Sequence, residues 1–573
     1  MNSRRWGALP CTIAAALACS ACDRKDAGSS SQSEKPGAEK PAAAASQERG
    51  MAGFEAGTRS TKARDYFRRG MAALHAFWYE EASRQFEAAV AADRGFAMAH
   101  WGLAMSKSKL LWGDDDLAGG RRALSQMPPS SGLSPRERAW VAAVTALFGK
   151  GDVRSSRRSF AAAMEQVHAQ HPDDESATFL AVALLATTRP EDPSGDPIRE
   201  RAAALAGEVY ERSPAHPGAA HYLIHAFDTP EMAHRALPAA RHYASIAPEA
   251  FHARHMPAHI FARLGMWKEA IQSCQAAWEA SVAWARRERL PADSLDFHSL
   301  NWIIEMSFER GLRAGADAAM KTFSDAVKGG LNHQNRTLYA RQVASYMART
   351  GEWKRVDELL APLEAKATDA AGHEACGDHP PQPGQVPLGL FERRAVLNAR
   401  ARAAAMRRNL AGTRRALAER NQVDAQLQPF YQATQPPESL VRLNRDRDVS
   451  DAAMLARARG DDRALLEPLA RLAEASKAEF AAEGTAGGVL ASEEVADALL
   501  RLRRAGEARQ AYEKVLAQHA GRASALLGAA RAAASAGDKA ASRAWYEKLL
   551  AVWSEADERT PGLKEARSAV EGG

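Results

Sequence analysis

Cysteine is scarce in this chain. Five occur among 573 residues, and three of them, Cys11, Cys19 and Cys22, lie at the extreme N-terminus. Because only Cys274 and Cys376 remain beyond that region, a disulfide framework is excluded as the basis of the fold. Charge of one sign is also lacking, since 76 Lys and Arg stand against 70 Asp and Glu. The sequence shows no basic face with interleaved aromatics, so we expect no nucleic-acid partner.

Strand-forming patterns are equally sparse. Alternating runs of Val, Ile and Thr are nearly absent, whereas the strong helix formers Ala, Leu, Arg and Glu are abundant. The sequence also lacks the nucleophile elbow, phosphate loop and dinucleotide fingerprint of common enzyme classes. We therefore predict an all-α protein. Catalysis is left open, with a non-enzymatic function favoured.

The first 22 residues have the order of a secretory signal. Arg4 and Arg5 precede a short apolar stretch over residues 7–18, and small residues and cysteines follow. The Ser-Ala-Cys that ends at Cys22 resembles a bacterial lipobox, which implies acylation of that cysteine. Cys19 is the alternative acylation site, and cleavage with release is the other outcome. We expect export to the periplasm or outer surface, with a lipid anchor in the membrane.

Composition divides the rest of the chain. Residues 23–60 contain almost nothing large and apolar, so they cannot offset their ordering entropy by burial and are predicted to be a disordered linker. A stretch rich in Gly and Pro, residues 365–390, predicts a loop insertion. Residues 61–364 are predicted to form a helical solenoid, and residues 391–560 a set of C-terminal helical repeats.

A repeat with a period near 34 residues supports this division. In its clearest unit Gly70 lies in a first helix, and Tyr79 and Ala82 open a second helix that continues through Phe86. Small residues let the two helices approach closely while aromatic rings fill the groove between them. The signature recurs at residues 265–270, 351–355, 505–508 and 537–540. One such pair buries a single face, so stacked pairs must share a continuous core. We predict a right-handed solenoid similar to tetratricopeptide repeats.

Histidines are concentrated in three consecutive repeats. Nine of the seventeen lie between residues 216 and 298. Positions can be counted back from the small residue early in each second helix, which is Ala236, Ala270 or Ala316. The residues in matching register are, fifteen before, His221, His255 and Asn301; eleven before, His225, His259 and Glu305; and eighteen before, Gly218, His252 and His298. In the next unit, with Val356 as the reference, Arg341 takes the fifteen-before position.

This register predicts a shared polar face. Residues four apart lie on one side of a helix, so His221 and His225 point together, and Asp228 lies on the same side. First helices of neighbouring repeats pack about 8–10 Å apart, which lets their imidazoles share one ion. Pro257 must kink or delay its helix, which makes His259 a firmer member of the face than His255. In tetratricopeptide arrays the first helices line the concave groove.

Three functions are compatible with such a face. The leading interpretation is a membrane-tethered scaffold that binds a protein, peptide or small ligand in its groove. The alternative is a metal-binding protein or metal-dependent enzyme, because neutral imidazole suits zinc, copper, nickel or iron as a divalent transition metal. The third is a purely structural role. The candidate ligands are His221, His225, Asp228, His252, His255, His259, His298 and Glu305, with Asn301 and Arg341 as further groove residues.

Two stretches carry a resemblance to a known group of proteins. Residues 74–82 with 97–105, and residues 216–225 with 252–261, resemble an uncharacterised family of bacterial tetratricopeptide proteins. The resemblance extends over roughly the first 310 residues. It implies a helical solenoid and no established activity. Asn301 departs from the histidines in register with it, so the third helix is less clearly part of the face.

Overall fold

The structure is a computed structural model that describes residues 57–112, 114–129, 132–149, 152–188, 195–365, 387–434, 437–483 and 490–571. The predicted signal segment, the linker up to residue 56 and residues 366–386 of the predicted loop insertion lie outside the described residues. The described chain begins its first helix at Thr61, directly after the predicted linker. No helix among the described residues is both long and apolar enough to cross a membrane.

The described chain is almost entirely helical. Its α-helices are α1 Thr61–His75, α2 Tyr79–Ala92, α3 Ala97–Met105, α4 Leu117–Ser125, α5 Pro135–Leu147, α6 Val153–Gln170, α7 Asp174–Leu185, α8 Asp196–Arg212, α9 Pro217–Ala226, α10 Ala233–Ile246, α11 Phe251–His255, α12 Pro257–Arg263, α13 Trp267–Glu288, α14 Phe297–Glu309, α15 Arg313–Lys328, α16 His333–Thr350, α17 Val356–Leu360, α18 Leu388–Met406, α19 Leu410–Thr434, α20 Pro437–Arg459, α21 Asp462–Glu483, α22 Ala491–Arg501, α23 Ala505–Gln518, α24 Ala523–Ser535, α25 Lys539–Val552 and α26 Leu563–Glu571. Short 3-10 helices span Ala292–Ser294, Trp353–Arg355 and Ala361–Glu364.

Successive helices pack as hairpins, as the repeat predicts. α1 lies against α2, α8 against α9, and α24 against α25. A Cβ atom added to Gly70 would lie 2.7 Å from the Phe86 ring, so the absence of a side chain there allows the aromatic ring to enter between the helices. The prediction of an all-α helical-repeat solenoid is confirmed.

One apolar core runs through most of the array. It extends from Ala63 to Ala403 and includes the fully buried rings of Trp101, Trp140 and Trp302. Smaller clusters hold the C-terminal repeats together. This continuity is what stacked helix pairs require, because each pair alone leaves one apolar face uncovered.

A short β-hairpin interrupts the repeats after α3. Its strands are Ser108–Lys109 and Asp114–Asp115, paired antiparallel. Trp112, between the strands, is 49% exposed. Its ring nevertheless packs edge-on against Phe77 and Tyr79, with centroids 5.8 and 5.6 Å away. The hairpin therefore extends over the turn that joins α1 to α2.

The C-terminal repeats fold back onto the middle of the array. The indole N–H of Trp267 donates to the carbonyl of Gly521 at 2.8 Å, and that of Trp553 donates to the carbonyl of Glu309 at 3.1 Å. Gly265 has a φ of +71°, and a Cβ there would lie 2.6 Å from the carbonyl oxygen of Ala520. The glycine is thus needed both for its left-handed backbone and for the close approach of the returning chain.

Candidate metal centre

Two groups of three histidines lie in adjacent repeats. The first trio is His221, His225 and His252, and the second trio is His255, His259 and His298. Within each trio, one ring nitrogen from every residue lies within 4.8 Å of the other two. α9 supplies the first pair, α11 supplies His252 and His255, α12 supplies His259, and α14 supplies His298. Every histidine that the sequence register assigned to the shared face thus belongs to one of the two trios.

Proline shapes the second trio. Pro257 cannot continue the hydrogen-bonding of the preceding turn, so α11 ends at His255 and α12 begins at Pro257. Met256 between them keeps a right-handed helical conformation, with φ −54° and ψ −36°. The interruption therefore does not turn the chain away, and the Nε2 atoms of His255 and His259 lie 3.1 Å apart.

Both rings of that pair are fixed through their Nδ1 atoms. Nδ1 of His259 lies 2.8 Å from a carboxylate oxygen of Asp228, so it carries the proton and donates it. Nδ1 of His255 lies 2.9 Å from the Ser299 hydroxyl, whose own proton goes to Asp296 at 2.5 Å. His255 is therefore also a donor at Nδ1. These ring protons follow from the partners, and they leave a lone pair on each facing Nε2 atom.

The first trio repeats this geometry. Nε2 of His225 lies 3.1 Å from Nε2 of His221. Nδ1 of His221 donates to the carbonyl oxygen of His75 at 2.6 Å, which leaves its Nε2 unprotonated. Nε2 of His252 is buried and makes no hydrogen bond within the described residues. A buried ring nitrogen without a hydrogen-bond partner, next to the Nε2 atoms of two other histidines, marks a candidate binding site for a ligand.

Each trio lies against one aromatic ring that contacts all three of its imidazoles. Phe77 lies 4.4 Å from His221, 5.5 Å from His225 and 5.7 Å from His252, measured between ring centroids. Phe77 has a φ of +53°, a left-handed conformation that costs a non-glycine residue about 1–2 kcal/mol. This backbone conformation places the Phe77 ring against all three imidazoles of the first trio.

Trp302 has the equivalent place over the second trio. Its ring centroid lies 5.0 Å from His255, 4.7 Å from His259 and 5.9 Å from His298. Trp112 of the β-hairpin adds a contact of 5.1 Å with His252. The imidazoles are thus held in fixed orientations by apolar walls, which also limit the access of water.

Burial keeps the imidazoles neutral. It lowers the pKa of His221, His252 and His255 well below the ordinary histidine value, and neighbouring imidazoles lower each pKa further. Burial, followed by repulsion from His259, lowers the pKa of His225 to about 3. Neutral imidazole is the form that binds metal ions, so these rings are ready to act as ligands at neutral pH.

Asp228 orients the ring of His259 and is not a member of either trio. Its carboxylate accepts from Nδ1 of His259 and from Nε of Arg263, at 2.8 and 2.9 Å. Burial alone would raise the pKa of Asp228, but Arg263 and His259 hold it below its ordinary value. A carboxylate behind a histidine that ligates a metal fixes the ring tautomer and strengthens the ligand. The sequence grouped Asp228 with the candidate ligands, and in the structure its carboxylate contacts Nδ1 of His259 on the side away from the facing Nε2 atoms.

The remaining sequence candidates lie elsewhere. Glu305 accepts a hydrogen bond from Gln342 at 2.8 Å, lies near Arg349 and is not grouped with the second trio. Of the two further groove residues, Asn301 is buried and Arg341 is exposed. The third repeat therefore contributes His298 alone. His221 and His255 are fully buried, whereas His298 is exposed.

A third cluster lies behind the first trio. Nε2 of His75 lies 2.9 Å and Nε2 of His216 lies 3.3 Å from the two oxygens of Glu175. Nδ1 of His75 lies 2.9 Å from the Tyr222 hydroxyl, and Nδ1 of His216 accepts from the backbone N–H of Ala219 at the start of α9. Nε2 of His216 and the nearer oxygen of Glu175 are buried and make no hydrogen bond among the described residues, although they lie within ion-pair distance. The cluster supports His221 through the carbonyl of His75.

Several site residues had no sequence signal. Nothing in the sequence singled out Phe77, Trp302 or Ser299. His75 and His216 lie in the two stretches that carry the family resemblance, but neither stands at one of the three register positions that were counted. Only the contact between distant repeats shows what these residues do.

The donor set suits divalent transition metals. Two imidazole nitrogens bound to one tetrahedral zinc ion lie about 3.3 Å apart, given Zn–N distances of about 2.0–2.1 Å. The observed separation of 3.1 Å in both pairs is close to this value. Three nitrogen ligands without a carboxylate favour zinc, copper or nickel over magnesium or calcium. A fourth coordination position is left for water or a small ligand.

Comparison with protein-family models and with curated proteins finds no match. Solved structures that match include Naa15/Naa10 bound to HypK-THB, at 11% identity over 93% of this chain and 94% of that chain, with a TM-score of 0.25. The human IFIT1 dimer with m7Gppp-AAAA matches at 11% identity over 90% and 95%, with a TM-score of 0.30. Yeast Tom70 matches at 12% identity over 93% and 96%, with a TM-score of 0.25. The assignment of this chain to the helical-repeat class rests on its own helix hairpins.

Proposed function

We propose that this protein is a helical-repeat protein that binds a divalent transition-metal ion through the second histidine trio. One observation carries the proposal: His255 and His259 direct unprotonated Nε2 atoms at each other across 3.1 Å, while both Nδ1 atoms are held as donors by other groups. Two lone pairs at this distance repel each other. A positive charge between them removes the repulsion.

A metal ion accounts for the arrangement better than a proton does. A proton bonded between His255 and His259 would need only those two rings. The site adds His298, whose ring centroid lies 4.7 Å from that of His255. It also adds Asp228 behind His259, in the pairing that metal-ligating histidines commonly have. Three imidazoles with a supporting carboxylate match a metal site.

Metal content of the purified full-length chain tests the proposal. After treatment with chelator and reloading with Zn²⁺ at neutral pH, we expect bound zinc by elemental analysis. The content should fall in His298→Ala, which removes the most exposed ligand and leaves the buried core intact. His234→Ala, an exposed histidine on α10 outside both trios, is the matched control and should retain the wild-type content. Absence of zinc from the wild-type protein would reject the proposal.

A second candidate function is an interaction scaffold that binds a protein or peptide, for which repeat solenoids are well suited. The observation in its favour is Trp112, which exposes a large aromatic surface at the tip of the β-hairpin. Aromatic side chains of this kind are enriched at binding hot spots. Comparing partners that co-purify with wild-type and with Trp112→Ala, with and without chelator, tests it. Equal recovery of every partner with both proteins would count against it.

We also propose that the chain is exported and anchored through an acylated Cys22, or through Cys19. The support is the order of charged, apolar and small residues that precede these cysteines. Metabolic labelling with a radioactive fatty acid should mark the wild-type chain. Loss of the label in Cys22→Ser, and not in Cys19→Ser, assigns the site. Absence of label from the wild-type protein would leave cleavage with release.

A further inference from the structure

The two trios are built by one rule applied twice. In each, a first-helix pair spaced four residues apart provides two imidazoles, and the next repeat provides the third. His221 and His225 are matched 34 positions later by His255 and His259. The third ligand is three residues before the corresponding position of the next repeat, which is His252 for the first trio and His298 for the second. A single ion does not need this duplication.

The repeats on either side of the two trios lack the histidines that a further trio of this kind would need. In the repeat before, the equivalent of His252 is Gly218, where a Cβ atom would lie 2.3 Å from Nδ1 of His75. The ring of His75 therefore occupies the space that a third ligand would need. In the repeat after, Asn301 and Glu305 replace the histidine pair, and Glu305 is bound by Gln342. Among the described residues, the register rule therefore gives two trios.

α11 joins the trios. Within one turn of this helix, His252 belongs to the first trio and His255 to the second, with ring centroids 6.4 Å apart. An ion bound at Nε2 lies about 3.2 Å from the centroid of its ring, so ions in the two trios would be at most about 13 Å apart.

We propose that the two trios form one paired metal centre that holds two divalent transition-metal ions on either side of α11. This rests on the proposed function and extends it in stoichiometry and spacing. Each ion has three imidazole ligands and retains a position for water or a small ligand, which is the coordination of open metal sites rather than of closed structural ones.

Copper loading tests the pair, because Cu²⁺ is both a strong imidazole binder and paramagnetic. The full chain is stripped with chelator, loaded with Cu²⁺ and freed of excess ion by gel filtration. We expect two copper ions per chain by elemental analysis, and electron paramagnetic resonance should show dipolar broadening from a second copper ion nearby. His225→Ala should empty the first trio and His298→Ala the second, leaving one ion and no broadening in each variant.

Two further proteins complete the experiment. The double variant His225→Ala/His298→Ala should bind no copper, which excludes adventitious binding to surface histidines, and His234→Ala should behave as wild type. Circular dichroism verifies that every variant is folded. One ion in the wild-type protein overturns the pair while metal binding stands. Two ions without dipolar broadening overturn the shared centre. No ion at all overturns the proposed function together with the pair.

Discussion

His75 and His221 are 146 positions apart, and the backbone carbonyl of His75 accepts a hydrogen bond of 2.6 Å from Nδ1 of His221. The end of α1 thereby sets the orientation of a ring on α9. His75 is itself held by Glu175, which also contacts His216. The first trio thus depends on a buried polar cluster that contributes no ligand.

Removing the charge of that cluster should weaken the fold. Burial alone would raise the pKa of Glu175, but His75 and His216 lower it below its ordinary value, so the carboxylate is ionised in the folded protein. Glu175→Gln replaces charge-assisted hydrogen bonds with weaker ones, and we expect a loss of about 1.5–3 kcal/mol in the free energy of unfolding. Urea denaturation measures this. Glu165→Gln, which breaks the exposed pair with Arg201, should cost less than about 1 kcal/mol. Equal effects of the two substitutions would contradict the assignment.

Asp228 should act on metal affinity through His259. In Asp228→Asn the His259 ring loses its charged acceptor, and the ion pair between Arg263 and this carboxylate is lost. Substitutions at such supporting positions typically lower metal affinity about 10- to 100-fold. Competition with a chromophoric zinc chelator measures the change. Glu231→Gln, an exposed acid in the same region, serves as the control. Unchanged zinc affinity in Asp228→Asn would show that the carboxylate has no supporting role.

The stability of the metal-free protein should depend on pH. Histidines of the unfolded chain take up protons near pH 6.5. In the folded protein, burial lowers the pKa of five trio histidines, to about 3 for His225; they are His221, His225, His252, His255 and His298. Between these values the unfolded state binds more protons, so the free energy of unfolding falls as the pH is lowered below about 6.5. The slope is at most about 1.4 kcal/mol per pH unit for each such histidine.

Urea denaturation in chelator at pH 7.5, 6.5 and 5.5 measures this dependence above the range in which carboxylates titrate. The double variant His225→Gln/His252→Gln should show a shallower decline, because two of the responsible rings are gone. A free energy of unfolding that stays constant or increases on acidification would mean that the imidazoles are already charged in the folded state.

Gly218 should not tolerate a side chain. An added methyl group would lie 2.3 Å from Nδ1 of His75, so Gly218→Ala should displace that ring and destabilise the protein by about 1–3 kcal/mol. Gly506→Ala is the matched control in another helix, since nothing lies within 4 Å of its added Cβ. Alanine is the better helix former, so the control should be neutral or slightly stabilising. Thermal unfolding compares the two, and equal behaviour would refute the predicted clash.

The sequence predicted the parts of this structure that depend on local periodicity. Helix pairs follow from small and aromatic residues at a fixed spacing, and the facing of His221 with His225 follows from the helical repeat alone. The same rule fails for Glu305, which has the correct register but is bound by Gln342 and Arg349. The register of a residue predicts the side of the helix on which it lies. It does not predict which neighbouring side chain will contact that residue.

The sequence did not allow us to predict the contacts between repeats that are distant along the chain. The left-handed turn at Phe77 has no glycine to indicate it, and the fold-back of the C-terminal repeats onto Glu309 depends on single hydrogen bonds such as the one from the N–H of Ala523 at 2.7 Å. Pro257 gave a partial signal. It correctly indicated an interrupted helix, and the structure shows that the interruption leaves both adjacent histidines on the same side.

A single helical turn, α11, carries one histidine of each trio. Rotating or shifting that turn by a fraction of its pitch would displace a donor from both trios at the same moment. The geometry of one trio therefore cannot change independently of the other. A substitution that disturbs Phe251 or Ala253, beside these histidines, would alter the positions of ligands in both trios.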